Sequence, residues 1–311
     1  MVVASQPHGA PSSMGPVSIM LLAGVIIVWG VNYPVTRYAL THGFSPLAFV
    51  AARFAIASGT FGVIASARER TLRIEKRHVR LLVLCATVGI FVNQVAFVYA
   101  VKLTSASSVA LFFGTVPVFV ALFSHLSGIE VISRRRWIAT AVSGLGAALV
   151  AFGASRPLLA NAGGVCLAIA AAACLAFYSV SARPLVGHYS PYRLNALLTL
   201  VASAGFLTLA APQLSSENWS QIQFLAWAAF FFAIFPAYVL ANVMWLTVIR
   251  RIGAARGSVY VNLAPFVGAG AAVILLSETL TYLQALGGCV IGMAIVVAET
   301  PRMPVVALRQ A

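Results

Sequence analysis

The 311-residue chain contains no aspartate, and its whole acidic complement is six glutamates: Glu69, Glu75, Glu130, Glu217, Glu278 and Glu299. Charged residues of both signs reach only 8%, against about 25% in an ordinary soluble domain. A water-facing surface on a chain of this size needs far more polar cover, which argues against a soluble enzyme and against a disordered chain. The four cysteines (Cys85, Cys166, Cys174, Cys289) lie in apolar runs without CxxC spacing. They read as small interior residues, not as a disulfide framework or metal ligands. Residues 1–16 hold no Lys or Arg, so a cleavable secretory leader would lack its basic start. Their Pro, Ser and Gly content reads as a disordered tail.

What is present is apolar. Hydrophobic residues make up 61% of the chain and the mean hydropathy is +0.97. A helix needs about 20 such residues to cross a bilayer core. Dividing the chain at its charges gives ten candidates: 17–36, 46–66, 81–101, 106–126, 137–155, 161–181, 192–212, 223–249, 257–277 and 282–298. Two carry a charge: the second holds Arg53 well inside it, and the seventh has Arg193 at its very start. The alternation that marks a transmembrane β-barrel is absent. The expected fold is therefore all-α and membrane-integral, with ten transmembrane helices and no room for a soluble domain.

The net charge of +14 comes from 20 basic residues. A nucleic-acid surface would gather them on one face, but here they fall in loops between long apolar spacers. The positive-inside rule accounts for them better. If 68–80 is cytoplasmic, sixteen basic residues share that side, three (Arg37, Lys102, Arg156) fall opposite, and Arg53 lies in the membrane. Both termini are then cytoplasmic, and the cell (inner) membrane is the expected location.

The chain also repeats itself. A shift of 148 residues pairs Lys102 with Arg250, Ala106 with Ala254, Pro117 with Pro265, Glu130 with Glu278 and Gly144 with Gly292. Earlier in each half, His42-Gly43-Phe44-Ser45-Pro46 resembles Gly187-His188-Tyr189-Ser190-Pro191 at a slightly different offset. The expected organisation is a tail at 1–16, a first five-helix unit at 17–155, a second at 156–300 and a cytoplasmic tail at 301–311. Five is odd, so the second unit enters the membrane from the opposite side. Two inverted five-helix repeats are a common plan of secondary transporters, with the substrate held near the midplane between them.

Several short motifs carry a family likeness: Trp29-Gly30-Val31-Asn32 followed by Arg37, Arg53-Phe54, and the run from Tyr99-Ala100 through Thr104-Ser105-Ala106 to Pro117 and Glu130. The second half repeats the last as Gly253-Ala254-Ala255, Pro265 and Glu278. In these features the sequence resembles the EamA-type exporters of the drug/metabolite transporter superfamily, over almost all of residues 17–300. The resemblance implies a ten-helix, two-bundle fold and outward transport of small metabolites, amino acids among them. It also implies a site lined from the first, third, fourth, sixth, eighth and ninth helices. The counterpart of Trp29-Gly30-Val31-Asn32 in the second half is Ala176-Phe177-Tyr178-Ser179, so that motif does not carry over.

Amides in hydrocarbon need a partner or a cavity, which makes Asn32, Asn93, Gln94, Asn242 and Asn262 candidate substrate contacts. Gln94 and Asn242 are repeat mates. Aromatic walls suit an amphipathic solute, and Trp29, Tyr99, Phe112, Tyr178, Tyr238, Trp245 and Tyr260 complete the candidate set. The plain alternative for every one of them is packing, helix bridging or an interfacial belt. Pro117 and Pro265, inside spans, are candidate hinges. Glu130 and Glu278, at span ends, are candidate gate or cap residues. Arg53 is expected to snorkel to the near interface or to bond helix carbonyls, with a substrate carboxylate as the other possibility. Gly288 and Gly292 form a GxxxG, and the small residues Thr140 to Gly144 give the fifth helix a matching face, for packing within one chain or in a homodimer.

No cofactor, metal or nucleic-acid partner is implied; the expected partners are a small-molecule substrate and the lipid bilayer. No mid-membrane carboxylate is present to carry a proton, which favours a facilitator or exchanger. Two rivals stand beside this reading. A lipid or lipid-linked sugar flippase would share the fold, whereas an integral-membrane enzyme would need a nucleophile–base pair, carboxylate dyad or metal cluster that the chain does not offer.

Overall fold

The computed structural model describes residues 15–69, 71–128, 134–153, 158–252 and 260–299, and all regular structure among them is helical. Helix α1 spans Pro16–Thr41 and α2 spans Pro46–Arg68. Helix α3, Lys76–Leu103, contains a π-helical segment at Cys85–Val92. Helices α4 (Ala106–Phe113) and α5 (Val116–Leu126) together cover the fourth expected span. Then come α6 (Arg134–Phe152), α7 (Leu158–Ser181), the short α8 (Arg183–His188) and α9 (Pro191–Ser216). The eighth expected span, α10, joins α-helical Phe224–Ile234, π-helical Phe235–Leu240 and α-helical Ala241–Ile252. Helices α11 (Ala264–Leu276) and α12 (Tyr282–Glu299) close the chain.

Seven stretches are long and apolar enough to cross a membrane, and three shorter apolar helices are Trp137–Phe152, Ala264–Leu276 and Tyr282–Val297. The chain is thus a multi-pass, all-α membrane protein. Many large apolar side chains face outward, among them Met20, Val63, Phe224 and Ile274, as lipid contact requires.

Local sequence sets the helix ends. Ser45-Pro46 and Ser190-Pro191 place a serine at the N-cap and a proline, which has no N–H to lose, in the first turn. Ser190 Oγ accepts the Arg193 N–H at 3.2 Å. Gly43, at φ 125°, turns the chain from α1 into α2, where a Cβ would stand 2.9 Å from Ile222 Cα.

Pro117 and Pro265 lie inside the expected spans but not in the interior of a helix. Each stands in the first turn of a new helix, after the chain has turned at Gly114-Thr115 and at Asn262-Leu263. A proline costs least in the first helical turn, so the break relocates the missing hydrogen bond to a position that has none to make.

Several helices pack along each other in pairs, among them α2 with α9, α6 with α12, α3 with α7, and α1 with α11. The first pair is tied at both ends by the same device used in opposite directions. At one end Glu217, after α9, accepts the N–H of Ser45, the N-cap of α2, at 3.1 Å. At the other end Glu69, after α2, accepts the hydroxyl of Ser190, the N-cap of α9, and pairs with Arg193 Nη2 at 3.0 Å.

In the second pair the close approach is made by Gly146 and Gly287, not by Gly288 and Gly292. A Cβ on Gly287 would lie 2.6 Å from the Gly146 carbonyl oxygen, whereas Gly144 has nothing within 4 Å. Gly288 and Gly292 instead meet Leu111 and Phe266, on α4 and α11. The expected packing of the fifth and tenth spans is present; its glycine register is different.

Candidate functional site

The two π-helical segments organise the interior. They end at Val92 and Leu240, 148 residues apart, the same shift that separates the starts of α5 and α11. A π turn displaces the i→i−4 pattern and leaves backbone carbonyls to find other donors. Trp29 of α1 answers one of them: its Nε1–H donates to the Ala237 carbonyl at 3.0 Å. Its ring lies 6.1 Å from that of Trp245, two turns further along α10. Against the other π segment, Tyr178 of α7 packs onto Gly89, where a Cβ would meet its own Cβ at 2.5 Å. Glycine is required there by this contact with the tyrosine.

A polar chain runs between these aromatic contacts. Asn93 Nδ2 donates to the Ala171 carbonyl at 2.7 Å, Gln94 Nε2 donates to Asn93 Oδ1 at 2.8 Å, and Arg53 Nη1 donates to Gln94 Oε1 at 3.4 Å. The Arg53 guanidinium carbon is 5.5 Å from the ring centres of both Phe54 and Tyr238. Tyr178 and Arg53 both lie within electrostatic range of the Tyr238 hydroxyl. The Tyr238 carbonyl, one turn back on α10, accepts from Asn242 Nδ2. Trp29, Asn93, Gln94, Tyr178, Tyr238, Asn242 and Trp245 therefore meet around the two π segments, on α1, α3, α7 and α10. Asn32 lies one turn beyond Trp29 on α1, and its buried Oδ1 has no hydrogen-bond partner.

The other candidates stand elsewhere. Tyr99 accepts from Gln213 Nε2 at 3.3 Å, and Gln213 Oε1 accepts the Leu47 N–H at 3.0 Å, so Tyr99 belongs to the helix-end network beside Glu217. Phe112 is fully buried in the hydrophobic core. Tyr260 is 40% exposed. Asn262 stands at the turn that opens α11. Glu278 accepts the backbone N–H groups of Ala106 and Ser107, both at 2.9 Å, and so caps α4 from the end of α11. Glu130 lies outside the described residues.

The residue that sequence reasoning undervalued is Arg53. It does not snorkel; it is 3% exposed and held by an amide and two aromatic rings. The available signal was that it is the one charge that stands away from the ends of an expected span.

Two apolar pockets open between other helix faces. One of about 310 Å³ lies between α1, α10 and α11, with Val35, Ala229 and Leu276 on its walls. Another of about 300 Å³ lies between α4, α11 and α12, against Leu111, Phe266 and Gly288. None of the candidate residues lines either.

A membrane-embedded helical bundle with buried amides on discontinuous helices is the build of a solute carrier, and comparison with known proteins agrees. A model of the EamA-like transporter family matches twice, at residues 16–152 and 162–300. The chain belongs to the EamA-like transporter family, within the drug/metabolite transporter superfamily. It is 24% identical over 253 residues to the uncharacterized transporter YyaM of Bacillus subtilis (strain 168), covering 80% of this chain and 82% of that protein. An uncharacterized transporter of Archaeoglobus fulgidus is 24% identical over 262 residues, covering 84% and 91%. A crystal structure at 18% identity superposes with a TM-score of 0.62, over 90% of this chain and 96% of that one, which shows a shared fold.

Proposed function

We propose that the chain is a secondary transporter of the inner membrane that exports small amphipathic solutes, amino acids among them, by alternating access. In this reading it crosses the bilayer ten times with both termini in the cytoplasm. Its two five-helix copies are inverted with respect to each other. One plan folded in opposite orientations yields two states of similar energy, open to opposite sides, and a solute biases their exchange.

The observation that carries the reading is the recurrence of helix discontinuities at one shift. A π segment ends at Val92 and again at Leu240, and a helix restarts at Val116 and again at Ala264. Discontinuous helices are where carriers expose backbone and polar side chains to a solute. The reciprocal Glu217–Ser45 and Glu69–Ser190 contacts support inversion, since each copy then caps the other's second helix from the opposite end.

The described glutamates Glu69, Glu75, Glu217, Glu278 and Glu299 all stand at helix ends, so among the described residues none places a carboxylate in the middle of the bundle to carry protons. This supports a facilitator or exchanger. Counterflow in proteoliposomes with the pH gradient collapsed tests it. Tracer uptake driven by trapped solute is the expected result, and Tyr178→Ala or Asn242→Ala abolishes it without loss of folded protein. Uptake that disappears with the gradient contradicts the coupling, and full activity in both variants contradicts the site.

A further inference from the structure

Arg53 presents a physical problem that the helical scaffold does not solve. It is 3% exposed, and its Nε is buried without a hydrogen-bond partner. Among the described residues no carboxylate pairs with it; its neighbours are Gln94 and the faces of Phe54 and Tyr238. A cation in such a place is costly unless an anion accompanies it. Packing does not demand it either. The Ser45-Pro46 to Ser190-Pro191 alignment makes Leu198 its mate in the second copy, and Leu198 is fully buried at its place on α9. The same architecture is thus built once with leucine and once with arginine.

The surroundings select the kind of anion. The guanidinium offers a planar fork that matches a carboxylate in two-point geometry. Gln94 adds an amide already linked to Asn93, and the Phe54 and Tyr238 rings give apolar walls for a short hydrocarbon or aromatic body. The single Arg53–Gln94 hydrogen bond is long, at 3.4 Å, so little is lost when a better acceptor replaces it.

We infer that Arg53, with Gln94 and Tyr238, forms an anion-recognition subsite that takes the carboxylate of a small amphipathic solute. This rests on the transporter reading above and narrows it: the solute supplies the counter-charge that the protein omits. Solutes whose carboxylate is masked as an amide lose this contact and bind weakly.

The test uses the full chain in lipid nanodiscs and proteoliposomes, with matched pairs as probes: L-phenylalanine against L-phenylalaninamide, and phenylacetate against phenylacetamide. Thermal shift and titration calorimetry read binding, and counterflow reads transport. The expected result is that the acid of a pair binds at least tenfold more tightly than its amide. Arg53→Leu, which copies the leucine of the mate position, abolishes that preference, and Arg53→Lys retains part of it. A purely structural role would lower stability in the variants without changing the acid-to-amide ratio. Equal binding of acid and amide by the unaltered protein, no binding of either acid, or an unchanged ratio in a folded Arg53→Leu protein would each overturn the subsite. Counterflow of a neutral solute in those cases leaves the transporter reading intact. Absence of counterflow for every probe, acid or amide, contradicts both.

Discussion

Removing the carboxylate of Glu278 should open one end of the bundle. This side chain takes the first two N–H groups of α4, at Ala106 and Ser107, both at 2.9 Å. The next donor, Ser108 N–H, is served separately by Ser105 Oγ at 3.1 Å, so helix capping is not lost altogether. Loss of an N-cap acceptor costs about 0.5–2 kcal/mol, and a charged acceptor lies at or above the top of that range. Glu278→Ala should therefore weaken the α11–α4 contact by about 2 kcal/mol, or ~30-fold in the population of the parted state, at 1.4 kcal/mol per tenfold. Ser107, only 1% exposed, reports that parting. In a background with Cys85, Cys166, Cys174 and Cys289 replaced by alanine, Ser107→Cys reacts slowly with a membrane-impermeant maleimide. Adding Glu278→Ala should raise the rate by about that factor, and Glu278→Gln by less, because its amide oxygen still accepts one bond. An unchanged rate in a folded Glu278→Ala protein would refute the idea that this carboxylate holds the end shut.

Other expectations follow from the same geometry. Gly287→Ala should lower the unfolding temperature in detergent, since its Cβ would press on the Gly146 carbonyl at 2.6 Å and overpacking costs about 1–3 kcal/mol. Gly144→Ala, with nothing within 4 Å, should leave it unchanged or raise it by virtue of better helix propensity. Trp29→Phe keeps the ring but strands the Ala237 carbonyl, a loss of about 1 kcal/mol that thermal unfolding should register alongside slower counterflow. A double-mutant cycle on Glu69 and Arg193, whose side chains are 15% and 19% exposed, should give a coupling of about 1 kcal/mol that shrinks with added salt. A salt-independent coupling would mean that the pair acts through packing.

Hydropathy alone was enough to place the apolar helices, seven of which are long enough to cross a membrane, because the cost of leaving backbone groups unpaired in lipid forces each long apolar run into a helix. The repeat was equally readable: proline, glutamate and glycine recur at one shift, and the helix starts at Val116 and Ala264 keep it. Faces were harder to read than spans. A π turn changes the rotation per residue, so every side chain beyond it points elsewhere than a regular 3.6-residue helix would send it. That is why Trp29 and Trp245, the latter beyond a π turn, could be named but their contact could not be foreseen. The fifth and tenth spans carry no π turn; there a run of neighbouring glycines signals a close approach without saying that Gly287 makes it instead of Gly288 and Gly292. Phe112 illustrates a further limit. An aromatic residue in an apolar run has the same sequence appearance whether it faces a cavity or, as here, the core. Arg53 was visible as an anomaly, but its depth depends on Gln94 and Tyr238 arriving from two other helices.

The proposed inversion of the two copies underlies the alternating-access reading, and sidedness tests it most directly. Thr41 and Val186 are equivalent under the shift that aligns Ser45-Pro46 with Ser190-Pro191, and both are exposed at helix ends. Cysteine at each, introduced singly into the cysteine-free background, should be labelled from opposite faces in intact cells: Thr41→Cys by an external impermeant maleimide, Val186→Cys only after the cells are opened. Labelling of both from the same face would mean that the copies lie parallel, and alternating access between mirrored halves would fall with it.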